Sequence, residues 1–266
     1  MTRAAAGRWA EELAGWGVPE EIRAQATADP WVLPVELFRA PGGEPATTVS
    51  LARAREALPS GGHVLDVGCG GGRASLALAP PAGRVTGVDR SPEMLAAFAE
   101  AAATAGLAHA GIEGSWPEAG ERTPRADVVV CHHVAYNVAD LAAFAGALDA
   151  HARHRVVLEL TGRHPTAWLS PLWQRFWGLP RPAGPTARDA LDVLVEAGLP
   201  ARLETWQDDT PRGVLTLSPA ERVAFVRTRL CLPADRDPEV VDALAALPLG
   251  EPRPMATIWW DATDQS

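Results

Sequence analysis

Apolar and polar positions change their rhythm twice along this chain, at His63 and again near residue 209. Before His63, Trp9, Leu13 and Trp16 keep helical spacing, and Pro30, Pro34, Pro41 and Pro45 then interrupt it. Residues 1–60 therefore read as a helical cap or lid ahead of the first strand. Val64-Leu65-Asp66-Val67 is a short apolar run that meets glycines at once, the pattern of a buried parallel strand entering a tight turn. A helix from about Gly72 to Ala79 is expected after it.

Arg84–Asp89 predicts a second strand, and Ser91-Pro92-Glu93 supplies an N-cap, a proline at the first helical position and an acid in the first turn. The helix opened there carries Met94, Leu95, Phe98 and Ala102 on one face. Ala108–Glu113 and Ala126–Cys131 predict two more strands. Leu141, Phe144 and Leu148 keep helical spacing before a fifth strand at Arg155–Leu160. Strand and helix alternate along 63–160, which specifies a parallel sheet with right-handed crossovers. Beyond it, Thr186–Gly198 predicts a capped helix and Arg202–Gln207 a sixth strand. Ser218–Glu221 and Asp237-Pro238 open two helices of an insertion over 209–254, and Thr257–Trp260 predicts the last strand. The expectation is an α/β fold: a doubly wound, mostly parallel seven-stranded sheet over 61–266, with the N-terminal cap before it.

Composition narrows what such a fold can do. Hydrophobic residues make up 47% of the 266 and charged residues 21%, as in a folded globular chain. Acidic residues appear by Glu11, before any run resembling a signal peptide, and no uncharged apolar stretch approaches membrane-spanning length, so a soluble, cytoplasmic protein is expected. Cys69, Cys131 and Cys231 stand far apart without a Cys-x-x-Cys pair, which suggests neither a disulfide framework nor a metal site. The 24 basic and 33 acidic residues leave a net charge of -9, which disfavours nucleic acid as a partner.

The candidate chemistry begins at Asp66-Val67-Gly68-Cys69-Gly70-Gly71-Gly72, an acid followed by alternating glycines at a strand-to-helix turn. Glycine allows positive φ there and lets a ligand lie against bare backbone beside a helix N-terminus. Asp89 ends the next strand, where a carboxylate can accept hydrogen bonds from both hydroxyls of a ribose.

Asp66, Gly68, Gly70, Gly72 and Asp89 together resemble the first two motifs of the class I S-adenosylmethionine-dependent methyltransferases, over roughly residues 60–208. The leading acid and the Gly-x-Gly-x-Gly rhythm favour that family over the nicotinamide-dependent oxidoreductases. The resemblance implies S-adenosylmethionine as cofactor. It implies a cofactor set of Asp66, Gly68, Cys69, Gly70, Gly72, Asp89, Arg90 and Met94, completed by Gly114, Ser115, Trp116 and His132. Where family members usually carry an acid for the adenine amino group, this chain has Glu113-Gly114-Ser115-Trp116. The Trp116 indole either covers the adenine or packs in its loop.

Cys131-His132-His133-Val134-Ala135-Tyr136 resembles the His-His-Val turn of small-molecule members, and His133 and Tyr136 are the candidate catalytic bases, with Glu159 a secondary candidate. Substrate contacts are expected from residues 1–60, loop 161–185 and the insertion, which hold Trp31, Trp168, Trp173 and Trp177 together with Arg163, His164, Arg175 and Arg181. The expected function is methyl transfer to O, N or C of a small molecule. An RNA or protein methyltransferase and a non-catalytic cofactor-binding module remain open.

Overall fold

The structure, a computed structural model, describes residues 4–30, 47–210 and 213–263. Its strands are β1 His63–Val67, β2 Arg84–Asp89, β3 Ala108–Glu113, β4 Ala126–His132, β5 Ala152–Thr161, β6 Arg202–Asp208 and β7 Arg253–Asp261. They form one sheet in the order β3-β2-β1-β4-β5-β7-β6. The first five pair in parallel, as the strand–helix alternation requires, whereas β7 runs antiparallel to both β5 and β6. A short connection can join only antiparallel neighbours directly, while each parallel step needs a crossover. The expected seven-stranded, mostly parallel sheet is the observed one.

The helices are α1 Ala5–Ala14, α2 Glu20–Arg23, α3 Val49–Ala57, α4 Arg73–Leu76, α5 Pro92–Thr104, α6 Leu141–His151, α7 Ser170–Trp177, α8 Ala187–Glu196, α9 Gly213–Thr216, α10 Pro219–Arg229 and α11 Asp237–Ala245. Ser91 and Ser218 cap α5 and α10 through their hydroxyls, as their spacing predicts. Side chains alternate across the strands, so each face acquires its own core. Val64, Val128, Val130 and Val157 pack with Leu51 of α3, Ala74 of α4 and Phe98 of α5. Leu65, Val129, Val156 and Leu158 pack on the other face with Trp9 of α1, Leu148 of α6 and Leu194 of α8.

A third core lies apart from the sheet, where Ile22, Leu172, Trp173, Val214, Val226, Leu230 and Val240 meet. It gathers α2, α7 and α9 to α11, so the N-terminal segment, the 161–185 connection and the 209–254 insertion share one apolar interior. Loop 161–185 contains a helix that periodicity did not disclose: α7 is 8 residues long with a proline in its first turn, and Leu172 and Trp173 supply its buried face. A helix this short is held by tertiary packing rather than by propensity. Within residues 1–60, Trp9, Leu51 and Ile22 enter three different cores. Trp31, Pro34, Pro41 and Pro45 lie outside the described residues. Among the described residues no helix is long and apolar enough to cross a membrane.

Candidate active site

The carboxyl end of β1 turns sharply into α4. Gly68, Gly70 and Gly72 take φ values of 72°, 49° and 85°, the left-handed region that only glycine enters freely. Space is as demanding as conformation: a Cβ on Gly68 would collide with Val134 Cγ2, and one on Gly72 would lie 2.9 Å from both Leu76 Cδ1 and Phe98 Cδ2. The amides of Gly68 and Cys69 donate to the Val88 carbonyl at 2.8 and 3.1 Å, which draws the turn against β2. Cys69 is buried against Gly87, and burial pushes its thiol well above the usual range.

Asp89 ties the two motifs together. Its Oδ2 accepts the Gly70 amide at 2.9 Å and its Oδ1 accepts the Ser91 amide at 2.9 Å. A carboxylate has about four lone-pair sites, so each oxygen can accept one more donor, and Asp89 is only half-buried. Arg90 is exposed beside it, and Met94 is half-buried on the first turn of α5.

Asp66 faces elsewhere. It is buried at 1% exposure, and its Oδ2 accepts the amide and hydroxyl of Ser75 at 3.2 and 2.7 Å, which fastens β1 to α4 beneath the glycine turn. Burial raises its carboxyl to about 6, the Ser75 bonds resisting and the Asp89 charge adding to the rise. Between the ordinary value of 3.8 and about 6, the folded state binds this proton and the unfolded state does not. Asp66 therefore stabilises the fold fully below pH 3.8, and that contribution is lost as pH rises through about 6. We expect the slope, at most about 1.4 kcal/mol per pH unit, to disappear in Asp66→Asn. Urea unfolding of both proteins at several pH values across this window checks it; equal slopes would refute it.

At the end of β3, the Gly114 amide donates to the Asp89 carbonyl at 2.9 Å, and Ser115 is exposed. The Trp116 indole donates to the Phe144 carbonyl at 3.3 Å and meets the His151 ring edge-on at 4.7 Å. Its ring is thus engaged with α6, and of the two roles expected for Trp116 the packing one is visible in the contacts.

The ends of β4 and β5 form the other half of the site, with His132 and Glu159 opposite each other in the register. His133 leaves the strand with φ 62°, one of two non-glycine residues in the left-handed region among those described. That conformation costs about 1–3 kcal/mol and persists only where neighbours enforce it. Here the His133 amide donates to the Glu159 carbonyl at 2.7 Å. His133 Nε2 lies 3.3 Å and His132 Nδ1 3.7 Å from Glu159 Oε1, while Thr48 Oγ1 donates to Oε2 at 3.3 Å. Burial opposes ionisation of Glu159, but the two imidazoles and the Ser50 hydroxyl outweigh it and hold the carboxyl down at about 2. His132 is pulled the other way: burial lowers its pKa despite Glu159, and its Nε2 has no hydrogen-bond partner among the described residues.

Tyr136 lies close by in sequence and is engaged by its neighbours. Its hydroxyl donates to the Thr161 carbonyl at 2.8 Å, its ring stacks on Trp9 at 5.6 Å, and burial raises its pKa above the ordinary value. The structure brings His133 to the surface and commits Tyr136 to packing. Thr48 and Ser50 were not foreseen, because nothing local in the sequence marks the start of α3 as lying under Glu159. The pairing of His132 with Glu159 was not foreseen either, because the register sets Val128 opposite Arg155 rather than opposite the first apolar residue of β5.

Of the outlying candidates, Trp168, Trp173 and Trp177 belong to the third core. Arg181 lies over the rings of Trp16 and Trp173 at 5.1 and 5.3 Å and donates to the carbonyls of Gly17 and Trp16. Among the described residues no group of three His, Cys, Asp or Glu side chains is arranged to hold a metal ion.

Residues 64–154 match the family described as methyltransferase domain. A stretch of 154 residues is 32% identical to the ubiquinone biosynthesis O-methyltransferase of Sodalis glossinidius (strain morsitans), covering 57% of this chain and 60% of that protein. The fold resembles the YcgJ protein of Bacillus subtilis, with TM-score 0.54, 17% identity, and 81% of this chain and 98% of that one covered. It also resembles a cyclopropane-fatty-acyl-phospholipid synthase-like protein of Lactobacillus casei, with TM-score 0.54, 16% identity, and coverage of 79% and 89%.

Proposed function

We propose that the chain transfers a methyl group from S-adenosylmethionine to a small molecule, a reading supported by the match of residues 64–154 to the methyltransferase domain family and by the seven-stranded sheet. The observation that carries this reading is the glycine turn drawn onto Asp89, which leaves a half-buried carboxylate with lone pairs to spare beside bare backbone. Those residues fit an adenosyl group: Gly68, Gly70 and Gly72 would back it, and Asp89 would accept its ribose hydroxyls. When bound, the cofactor supplies a methyl group already attached to its leaving group, a sulfonium sulfur. Alignment and exclusion of water are then the work left to the protein. His133, at the carboxyl end of β4, stands where parallel α/β sheets place reactive groups.

The net charge of -9 supports a metabolite rather than a nucleic acid as acceptor, and the relative's name as an O-methyltransferase of ubiquinone biosynthesis supports the same class. Three buried free thiols suit the reducing cytoplasm. The third core, built from α2, α7 and α9 to α11, is the part of the chain we assign to the substrate side, with residues 1–60 as a cap and a methyltransferase domain over 61–266 that includes the 209–254 insertion. Calorimetry with S-adenosylmethionine and S-adenosylhomocysteine is expected to show micromolar-range binding of both, and none of NADH. Failure of both to bind would remove the proposal.

A further inference from the structure

We propose that the cleft between Arg181 and Arg229 holds a carboxylate, and that the methyl acceptor is an apolar small-molecule acid whose anionic end binds there. The second half rests on the methyl-transfer reading above; the first does not. The cleft lies at the edge of the third core, where Val18, Leu169 and Trp173 supply apolar walls and Thr166, Arg181 and Arg229 the polar groups.

Both arginines are half-buried. Taking a guanidinium out of water costs free energy unless an anion meets it. Burial lowers the pKa of each, and among the described residues only the Asp29 charge opposes this, at Arg229. Arg181 donates to the carbonyls of Gly17 and Trp16 and lies against the Trp16 and Trp173 rings, contacts that hold the group in place but bring it no negative charge. Two carbonyls leave most of its N–H donors unused, and its enclosed Nε has no hydrogen-bond partner among the described residues. Arg229 ends α10 and lies over the Phe225 ring at 5.4 Å. Burial, with the Arg181 charge added, holds His164 down at about 4, so near neutral pH the two guanidiniums are the cations that face the cleft among the described residues.

A carboxylate suits this place better than a phosphate. It is planar like the guanidinium fork, carries a single charge, and leaves an apolar body to lie along Val18, Leu169 and Trp173. A phosphate needs donors on more sides than a largely apolar cleft provides. The position is also that of a substrate group. His164 Nδ1 pairs with Thr166 Oγ1 at 2.9 Å, and the His164 ring stacks on Trp16 at 4.0 Å and meets Tyr136 edge-on at 5.5 Å. That ring therefore stands between the cleft and the turn that follows β4.

Protein NMR titration with phenylacetate, phenylacetamide and inorganic phosphate tests the cleft. Phenylacetate is expected to bind in the millimolar range of a small fragment and to move the signals of Thr166, Leu169 and the Trp173 indole. The neutral amide and phosphate should each bind at least about tenfold more weakly. Arg181→Gln would remove the carbonyl bonds to Trp16 and Gly17 as well as the charge, so Arg229→Gln carries the test. In that variant the preference for the acid over the amide should vanish while S-adenosylhomocysteine binds as before. The acceptor role is read with labelled S-adenosylmethionine and phenylacetates bearing a hydroxyl, amino or thiol group, each beside its amide. An acid is expected to be labelled at least about tenfold faster than its amide, and Arg229→Gln should act more on KM for the acid than on kcat.

Equal binding of acid and amide, phosphate binding as tight as that of phenylacetate, or an undiminished acid preference in Arg229→Gln would overturn the carboxylate site. Labelling of amides as fast as acids, or of no acid by protein that binds both phenylacetate and cofactor, would overturn the anionic end of the acceptor. Absence of cofactor binding, with phenylacetate still bound, would instead refute the methyl-transfer reading and leave the cleft standing.

Discussion

Asp89→Ala is expected to weaken binding of S-adenosylhomocysteine by about 1.5–3 kcal/mol, roughly ten- to more than a hundredfold. The loss has two sources. The ribose hydroxyls lose an ionised acceptor, and the Gly70 and Ser91 amides lose the oxygens that hold the glycine turn and the cap of α5 in place. Asp89→Asn should lie between the two proteins, because its single carbonyl oxygen can serve only one of the two amides well. Calorimetric titration of all three, with thermal melts to confirm folding, checks the order. An alanine variant that binds like the wild type would take Asp89 out of the site.

Gly68→Ala is expected to cost about 2–5 kcal/mol of stability and to abolish measurable cofactor binding. Left-handed backbone costs an alanine about 1–2 kcal/mol, and the new methyl group would be driven into Val134 Cγ2, an overpacking penalty of about 1–3 kcal/mol. The two parts can be separated. Adding Val134→Ala removes the collision and leaves the backbone strain, so the double variant should regain about half of the lost stability in urea unfolding. If the double variant is no more stable than Gly68→Ala alone, the contact between the glycine turn and the β4 loop is not what forbids a side chain there.

Much of the fold was legible because its central strands are buried on both faces. Runs such as Val128-Val129-Val130 appear as continuous apolar text, and Arg84–Asp89 and Ala108–Glu113 were bounded as they occur. The caps at Ser91, Thr186 and Ser218 announce helices through chemistry that is local to a single turn. What depends on distant partners was harder to read. Helix α7 owes its existence to a core shared with residues far along the chain, and no window around 170–177 records that. The same holds within the site. The left-handed bends at Gly68, Gly70 and Gly72 and the strand end at Asp89 were legible because backbone conformation and strand ends leave a trace in spacing. Asp66 belongs to the same motif, yet its carboxylate turns inward to Ser75, a direction set by the pleat of β1 and the placement of α4. The difference in exposure between His133 and Tyr136 was not legible either. It depends on a carbonyl at Thr161 and a ring at Trp9 that only the folded chain brings near.

The position of β7 carries a consequence for synthesis. Strand β6 and the outer edge of β5 both wait for residues 253–261, which leave the ribosome after every element of the cofactor cradle has emerged. A nascent chain stalled or cut short before residue 253 would display an unpaired β5 flank and the hollow where Trp260 belongs, donating to Asp149 at 2.9 Å. Bare strand flanks recruit other chains. Prematurely terminated products are therefore expected to be captured by chaperones or to aggregate, rather than to persist as small working domains.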